Sequence, residues 1–102
     1  MHQDKNYPSE ANKTLFRAIL KLNNPGEAVR FFRDLLTIKE INDISKRFQI
    51  AKDLYLHKGS YETIAKKHKV STTTVTRVAL WLYHGMNGYK IILDRLFKSS
   101  KK

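Results

Sequence analysis

Apolar side chains recur at helical spacing through the middle of the chain. Ile41, Ile44, Phe48, Ala51 and Tyr55 stand 3, 7, 10 and 14 residues apart, counted from the first of them. These offsets place all five on one side of an α-helix, whereas a strand would show a repeat of two. The spacing therefore predicts a long helix with one apolar side, and it makes a helical fold the first expectation for the rest of the chain.

Capping residues mark where this helix and its predecessors begin. "NKTLFRAILKLN" carries a one-sided apolar stripe and predicts a first helix. In "NNPGE", Asn24 can cap a second helix, and Pro25 suits its first position. Thr37 and Glu40 in "TIKE" form a capping box, in which each side chain accepts from the other residue's amide. Three helices are thus predicted before residue 56.

Turn residues divide the second half of the chain. "HKGS" at 57–60 ends the long helix, with Gly59 available for a left-handed C-cap and Ser60 as the next N-cap. The "HGMNG" break precedes a last helix, expected from about Gly88 through "YKIILDRLF". Together with two helices between these breaks, the fold class is predicted to be all-α with six helices.

The segment "SYETIAKKHKVSTTTVTRVALWLY", at 60–83, admits two interpretations. Its β-branched run favours a strand, but a lone strand would have no partner in an all-helical chain. As two helices, the segment has Ser71 as the second N-cap and Ala65 as the small residue that allows close approach. We favour this helix-turn-helix at about 60–84, although Lys69 stands where many such turns carry glycine. The helix pair would bury Ile64, Ala65, Val70, Val75, Val78, Ala79 and Leu82.

Length and composition limit the remaining possibilities. A chain of 102 residues suits one domain with one modest core. We predict a flexible arm at 1–10, a single domain at 11–98 and a basic tail at 99–102. The chain has no cysteine, its start is polar, and its longest apolar run is "VALWL". These features argue against disulfides, a secretory signal and a membrane span, so we expect a cytoplasmic protein without membrane partners.

The charge distribution points to a polyanionic partner. The formal net charge is +11, from 20 basic and nine acidic side chains. Residues 59–102 carry nine basic and two acidic side chains, and no acid occurs between Glu62 and Asp94. A field of one sign attracts polyanions, among which DNA is the obvious candidate. A face that is charged only for solubility is the simpler alternative.

The second helix of the predicted helix-turn-helix has a polar face suited to the DNA major groove. If Val75 points inward, then threonines and Arg77 point outward. Short threonines let a helix enter the groove, where the methyl group can touch thymine and the hydroxyl can bond a base edge. Lysines on the first helix and turn would contact phosphates, which position the protein without reading sequence. The predicted DNA-binding residues are Lys66, Lys67, Lys69, Ser71, Thr72, Thr73, Thr76 and Arg77.

With the motif placed, the stretch from Leu36 to Leu96 resembles the Trp repressor family. The matching residues are "LLT" at 35–37, Arg47 in "SKRFQIA" and "TVTR" at 74–77. The whole chain resembles the small Trp repressor-like proteins of the YerC/YecD group. This resemblance implies a Trp repressor-like domain in an intertwined homodimer, whose two second helices meet successive major grooves roughly 34 Å apart.

The resemblance also implies a ligand pocket, with two important departures. Arg47 and Arg77 match the arginines that sandwich tryptophan in the repressor, while Thr37 and Thr74 match two threonines lining that pocket. Val78 stands where the repressor has glycine, and Trp81 stands where it has serine. We expect these larger side chains to fill a vestigial pocket, so that tryptophan is not a corepressor here.

Alternatives remain for the pocket and for the DNA target. The pocket could survive and accept another small effector. Glu62 lies where the repressor has a base-contacting arginine, so the operator does not transfer to this chain. We predict a sequence-specific transcriptional regulator, most simply a repressor, that inserts residues 72–83 into double-stranded DNA as a homodimer.

Other classes of function fit the sequence less well. No nucleophile, metal-ligand or phosphate-loop spacing appears, and His2, His57, His68 and His84 are scattered. We therefore expect no enzyme, cofactor or metal. Two rivals to specific DNA binding stay open. One is a helical dimer that binds a protein of the transcription machinery, and the other is non-specific coating of DNA.

Overall fold

The computed structural model describes residues 6–98, which form six α-helices and contain no strand. The helix lengths and order confirm the predicted all-α class, and the helix pair at 60–84 shows that the strand alternative was wrong. No helix among the described residues is long and apolar enough to cross a membrane. The helices are α1 (Glu10–Ile19), α2 (Pro25–Leu35), α3 (Ile38–Tyr55), α4 (Tyr61–His68), α5 (Thr72–His84) and α6 (Gly88–Phe97).

The predicted N-terminal caps are present. Asn24 Oδ1 accepts from the Glu27 amide at 2.9 Å. In the capping box of α3, the Thr37 hydroxyl accepts from the Glu40 amide at 3.1 Å, and the Glu40 carboxylate accepts from the Thr37 amide at 2.9 Å. Each cap provides a partner for an amide that the helix itself leaves unpaired. These local bonds fix where α2 and α3 begin.

Two boundaries differ from the sequence expectation. Helix α1 begins at Glu10 with Ser9 as its cap, so the last two residues of the predicted arm belong to the start of this helix. Residues 1–5 of that arm and the basic tail at 99–102 lie outside the described residues. The left-handed residue after α3 is His57, with φ 55°, so assigning the left-handed C-cap to Gly59 was wrong.

The end of α3 follows a Schellman pattern. The Lys58 amide donates to the Asp53 carbonyl at 2.9 Å, and the His57 amide donates to the Leu54 carbonyl at 3.1 Å. This pair of bonds requires a left-handed residue two positions after the last helical one, which is His57 here. Gly59 also has a positive φ, 142°, but it lies in the approach to the Ser60 cap of α4.

The chain divides into two compact units, one up to Ile41 and one from Asn42 onward. In the first unit, α1 and α2 contain no fully buried side chain. The aromatic contacts of this unit are edge-to-face, between Tyr7 and Phe16 and between Phe31 and Phe32. This unit therefore presents amphipathic helices whose apolar sides stay partly accessible to solvent.

The second unit contains the core. Helix α5 packs against α4 and α6, and the C-terminal half of α3 contributes to the same cluster. Six of the seven side chains predicted to be buried in the helix-turn-helix are so, and Val70 packs against them half-buried. The fully buried apolar residues are Ile50, Ala51, Leu54, Ile64, Ala65, Val75, Val78, Ala79, Leu82 and Leu93.

Helix α6 is joined to α3 by polar contacts at the edge of this core. The Tyr55 hydroxyl donates to Asp94, which also pairs with Lys90 at 3.1 Å. The hydrogen bond from Tyr55, and to a smaller extent the one from Lys90, lowers the pKa of Asp94. The bond between Tyr55 and Asp94 also raises the pKa of Tyr55. Lys52 of α3 lies over the Phe97 ring, 5.7 Å from its centroid. These contacts hold α6 beside the end of α3.

Candidate nucleic-acid interface

Helices α4 and α5 are joined by a tight turn of three residues. Lys69 adopts the left-handed conformation, with φ 58° and ψ 47°. The Val70 amide donates to the Ala65 carbonyl at 3.0 Å, and the Lys69 amide donates to the Lys66 carbonyl at 3.2 Å. Lys69 thus occupies the backbone position for which glycine is the usual choice. Ser71 then caps α5 by accepting from the Thr74 amide at 3.2 Å.

The inner sides of the two helices are packed against each other. Ile64 and Ala65 of α4 and Val75 of α5 are buried in the common core. Half-buried Val70 packs against this core from the turn. Packing on this side fixes the rotation of α5 about its axis, because Val75, Val78 and Leu82 lie on one stripe of the helix. The opposite side of α5 must therefore face outward.

The outward side of α5 carries most of the predicted DNA-binding residues. Thr72, Thr73, Thr76 and Arg77 are all exposed. Thr72 and Thr76 are separated by four residues, as are Thr73 and Arg77, so these side chains form two adjacent rows on one face. Ser71 is exposed as well, but its hydroxyl is engaged in capping. We call the four exposed residues of α5 the threonine face.

Three threonine hydroxyls of this face have no protein partner among the described residues. They belong to Thr72, Thr73 and Thr76. By contrast, the Thr14 hydroxyl donates to the Glu10 carbonyl at 3.0 Å, and the hydroxyl of Thr74 bonds to Ser71 at 3.2 Å. The hydroxyls of Thr37 and Thr63 also have protein partners. Among the described threonines, those whose hydroxyls lack a protein partner are thus all on the outward side of α5.

The basic residues near the threonine face are not equivalent. Lys66, Lys69 and Arg77 are exposed, and none of them forms an ion pair within residues 6–98. Lys67 instead pairs with Asp53 of α3, with 3.1 Å between its Nζ and Oδ2. Its side chain is still more than half exposed. Of the three predicted phosphate-contacting lysines, two are therefore unpaired and one is held by an internal carboxylate.

Asp53 was not anticipated from the sequence, and it anchors the helix-turn-helix to α3. Its side chain is 2% exposed, and Oδ2 lies 2.7 Å from His68 Nε2 and 3.1 Å from Lys67 Nζ. Burial opposes ionisation of this carboxyl, but the hydrogen bonds from His68 and Lys67 outweigh it and lower the pKa of Asp53. The acid lies between core positions Ile50 and Leu54 at helical spacing, which was the available signal for a buried charge.

The predicted pocket residues fall into both units. In the second unit, Arg47 is exposed on α3, and Thr74 and Trp81 are half-buried on α5. Val78 is 1% exposed and belongs to the core. In the first unit, Thr37 serves as the N-cap of α3. Arg77 is shared with the threonine face. The side chain of Val78 thus fills space in the core that a smaller residue such as glycine would leave empty.

The fold and this face define a class of protein, an all-helical domain that presents a helix-turn-helix. Residues 10–97 match the model of the Trp repressor protein family. The chain is 39% identical over 83 residues to YerC, an uncharacterized protein of Bacillus subtilis (strain 168), covering 80% of this chain and 78% of that one. This chain belongs to the Trp repressor family.

Solved structures of related proteins share the fold. A TrpR-like protein from Eubacterium eligens superposes with a TM-score of 0.85 at 40% identity, covering 96% of this chain and 100% of that one. A candidate Trp repressor from Staphylococcus aureus gives a TM-score of 0.82 at 38% identity, covering 94% and 95%. The predicted resemblance is therefore confirmed, and the family is one of regulatory DNA-binding proteins rather than enzymes.

Proposed function

We propose that this protein is a sequence-specific DNA-binding transcriptional regulator, acting as a repressor. The observation that carries the proposal is the threonine face, an exposed helix surface without acidic residues, packed rigidly on its inner side. A helix held in this way can enter a major groove and bring its side chains to base edges. The same role places the protein in the cytoplasm, where the DNA of its bacterial relatives lies.

The residues of the face divide by the kind of contact they suit. Thr72, Thr73 and Thr76 are short enough to reach base edges from a helix seated in the groove. Arg77 can bond guanine with two hydrogen bonds or clamp a phosphate. Lys66 and Lys69, unpaired within the described chain, suit phosphates on either side of the groove. Ser71 and Lys67 already have protein partners, so any phosphate contact would be shared with these partners.

We also propose that the protein acts as a homodimer. The described chain leaves many large apolar side chains accessible, among them Leu20 at 82%, Val29 at 69% and Met86 at 67%. Apolar exposure on this scale in a small domain is typical of a surface covered by another chain. An intertwined arrangement of two copies would bury these side chains and place two α5 helices roughly 34 Å apart on the DNA.

The proposal excludes tryptophan as the corepressor. Buried Val78 and half-buried Trp81 place bulk where the resemblance requires glycine and serine for an open pocket. We expect no binding when L-tryptophan is titrated into the protein in a calorimeter. Micromolar binding would contradict the proposal. A Val78→Gly variant is the informative comparison, although it also removes a buried side chain and must first be shown to fold.

The experiment that tests the DNA-binding proposal is selection of fragmented genomic DNA by the purified protein at near-physiological salt. We expect a palindrome whose half-sites are about one helical turn apart. Arg77→Ala should lose this selection. Arg95→Ala, which removes an exposed arginine from α6 instead, should retain it and serves as the control.

The other outcomes identify the rival functions. Recovery of DNA without a consensus, with affinity that vanishes as salt rises, would indicate non-specific coating. No recovery of DNA at any salt would favour a protein partner. Specific binding should weaken with a log–log salt slope of about −0.9 per neutralised phosphate. Each substitution at Lys66 or Lys69 removes one phosphate contact from each protomer, so the slope for the dimer should fall by about two units.

A further inference from the structure

The threonine face is unusual in the chemistry that it offers to a base edge. Its three threonines each present one methyl group and one hydroxyl without a protein partner in the described chain. Only Arg77 adds a charged donor. Faces that read guanine rely on arginine or lysine, and faces that read adenine rely on asparagine or glutamine. This face carries one residue of the first kind and none of the second.

Methyl groups instead match one feature of the major groove. Among the four unmodified bases, only thymine carries a C5-methyl group, which projects into that groove and is read by apolar contact. Thr73 and Thr76 lie on the part of α5 that is directed away from Val75 and the core. In a helix-turn-helix, the N-terminal residues of the second helix contact base edges. These two threonines therefore have both the position and the surface for this contact.

We propose that Thr73 and Thr76 select thymine at specific positions of the half-site through contact between their methyl groups and the thymine C5-methyl. This inference rests on the proposed DNA-binding function and adds the chemical class of base that is read. The unpartnered hydroxyls would bond thymine O4 or the neighbouring phosphate while the methyl groups are in contact. The half-site is then rich in A·T pairs opposite the start of α5.

The test uses the selected DNA site and removes single methyl groups from each side of the contact. On the DNA, each thymine is replaced in turn by uracil, which lacks only the C5-methyl. On the protein, Thr73→Ser and Thr76→Ser remove the methyl and keep the hydroxyl, whereas Thr73→Val and Thr76→Val do the reverse. Thr63→Ser on α4 is the matched control, because that hydroxyl is bonded to Ser60.

We expect that uracil at specific positions lowers the DNA affinity of the wild-type protein and does not lower the affinity of the serine variants. Uracil at one or two positions should weaken wild-type binding by about fourfold, which corresponds to one buried methyl group. The same uracil should have no effect on the serine variant of the contacting residue, and it should keep its effect on the valine variant and on Thr63→Ser. A 5-methylcytosine·guanine pair at that position shows whether the methyl group alone is sufficient, and retained affinity would extend the inference to methylated cytosine.

The outcomes separate this inference from the function on which it rests. A consensus in which uracil replaces every thymine without loss would overturn the methyl contact and leave the regulator intact. A uracil effect that persists unchanged in both serine variants would also overturn it. Binding without any consensus would overturn the specific regulator itself, and the methyl contact with it.

Discussion

Lys69 holds a backbone conformation that is costly for any residue with a Cβ atom. With φ 58°, it sits in the left-handed region that closes the turn between α4 and α5. A residue other than glycine in this region is disfavoured by roughly 1–2 kcal/mol. Glycine avoids this strain, although its larger freedom in the unfolded chain offsets part of the gain in stability. The lysine is therefore retained at a position where local stability favours another residue.

Lys69→Gly should raise the free energy of unfolding by about 1 kcal/mol while weakening DNA binding. The gain comes from relief of the left-handed strain, and the loss comes from one missing phosphate contact. Urea denaturation measures the first, and the salt dependence of DNA affinity measures the second. Lys69→Ala is the matched control, since it removes the same charge but keeps the strain. Equal stability of the two variants would contradict the strain argument.

Asp53 stabilises the fold through its two partners on α4. Removing its charge with Asp53→Asn should lower the free energy of unfolding at pH 7 by about 2 kcal/mol, the usual range for hydrogen bonds to a charged group. The same change should loosen the contact that holds the end of α4 to α3. Lys67→Ala removes only the exposed partner and should cost well under 1 kcal/mol.

The contribution of Asp53 should depend on pH in a defined direction. Its pKa is below its ordinary value because the bonds from His68 and Lys67 outweigh burial. A group with a lowered pKa in the folded state stabilises the fold above its unfolded-state pKa and loses that effect as pH falls through the folded-state value. The stability difference between wild type and Asp53→Asn should therefore shrink as pH falls below about 4, the ordinary pKa of an aspartate. A difference that persists to pH 2 would contradict this assignment.

At the scale of single residues, the sequence was sufficient to predict the features that local hydrogen bonds determine. The caps by Asn24, Thr37, Ser60 and Ser71 involve residues three positions apart, so the spacing of residue types was sufficient. The bond from His68 to Asp53 joins residues 15 apart, and no local pattern encodes it. His57 took the left-handed position expected for Gly59 because α3 ends at Tyr55, which places His57 two residues after the last helical one.

At the scale of the helices, the junction between α5 and α6 depends on Gly85. A Cβ atom at this position would lie 2.4 Å from the Trp81 carbonyl oxygen, to which the Gly85 amide itself donates at 3.1 Å. Gly88, three residues later, has open space where its Cβ would be. The two glycines therefore offer a matched pair, since one is required by sterics and the other is not.

Gly85→Ala should lower the free energy of unfolding by roughly 1–3 kcal/mol, because the backbone of α5 must shift to accommodate the methyl group. Gly88→Ala should leave it unchanged or raise it by up to about 1 kcal/mol, since alanine is the better helix former. Thermal unfolding followed by circular dichroism measures both. Similar destabilisation by the two substitutions would show that the close approach to Trp81 does not constrain this junction.

The long helix α3 shows how far periodicity could be used. The predicted apolar side included Ala51, which is buried, and Phe48 and Tyr55, which pack against the core. It missed Ile50 and Leu54, which are buried, and it included Ile44, which is 42% exposed. Apolar residues cover more than one side of α3, so periodicity alone could not decide which side the core would take.

At the scale of the whole molecule, charge and apolar exposure have different roles. The excess of basic residues after Gly59 suits a DNA surface, whereas the exposed large apolar side chains suit another protein surface. For the pocket, the sequence alone predicted which types of residue are present but not how they pack. Bulk at Val78 was visible in the sequence, but its place in the core depended on how α5 packs. The prediction of a dimer came from the resemblance to the Trp repressor family.

A homodimer whose apolar side chains are shared between copies should unfold at a denaturant concentration that depends on protein concentration. If folded monomers are not stable, then a tenfold rise in protein concentration should stabilise the folded state by about 1.4 kcal/mol per dimer. Fluorescence of Trp81, the single tryptophan of the chain, can follow urea unfolding across this range, because its side chain is half-buried in the folded state. Light scattering at the same concentrations gives the mass directly. A midpoint independent of concentration, together with a monomeric mass of 12.0 kDa, would contradict the dimer and would require one chain to bind a single half-site.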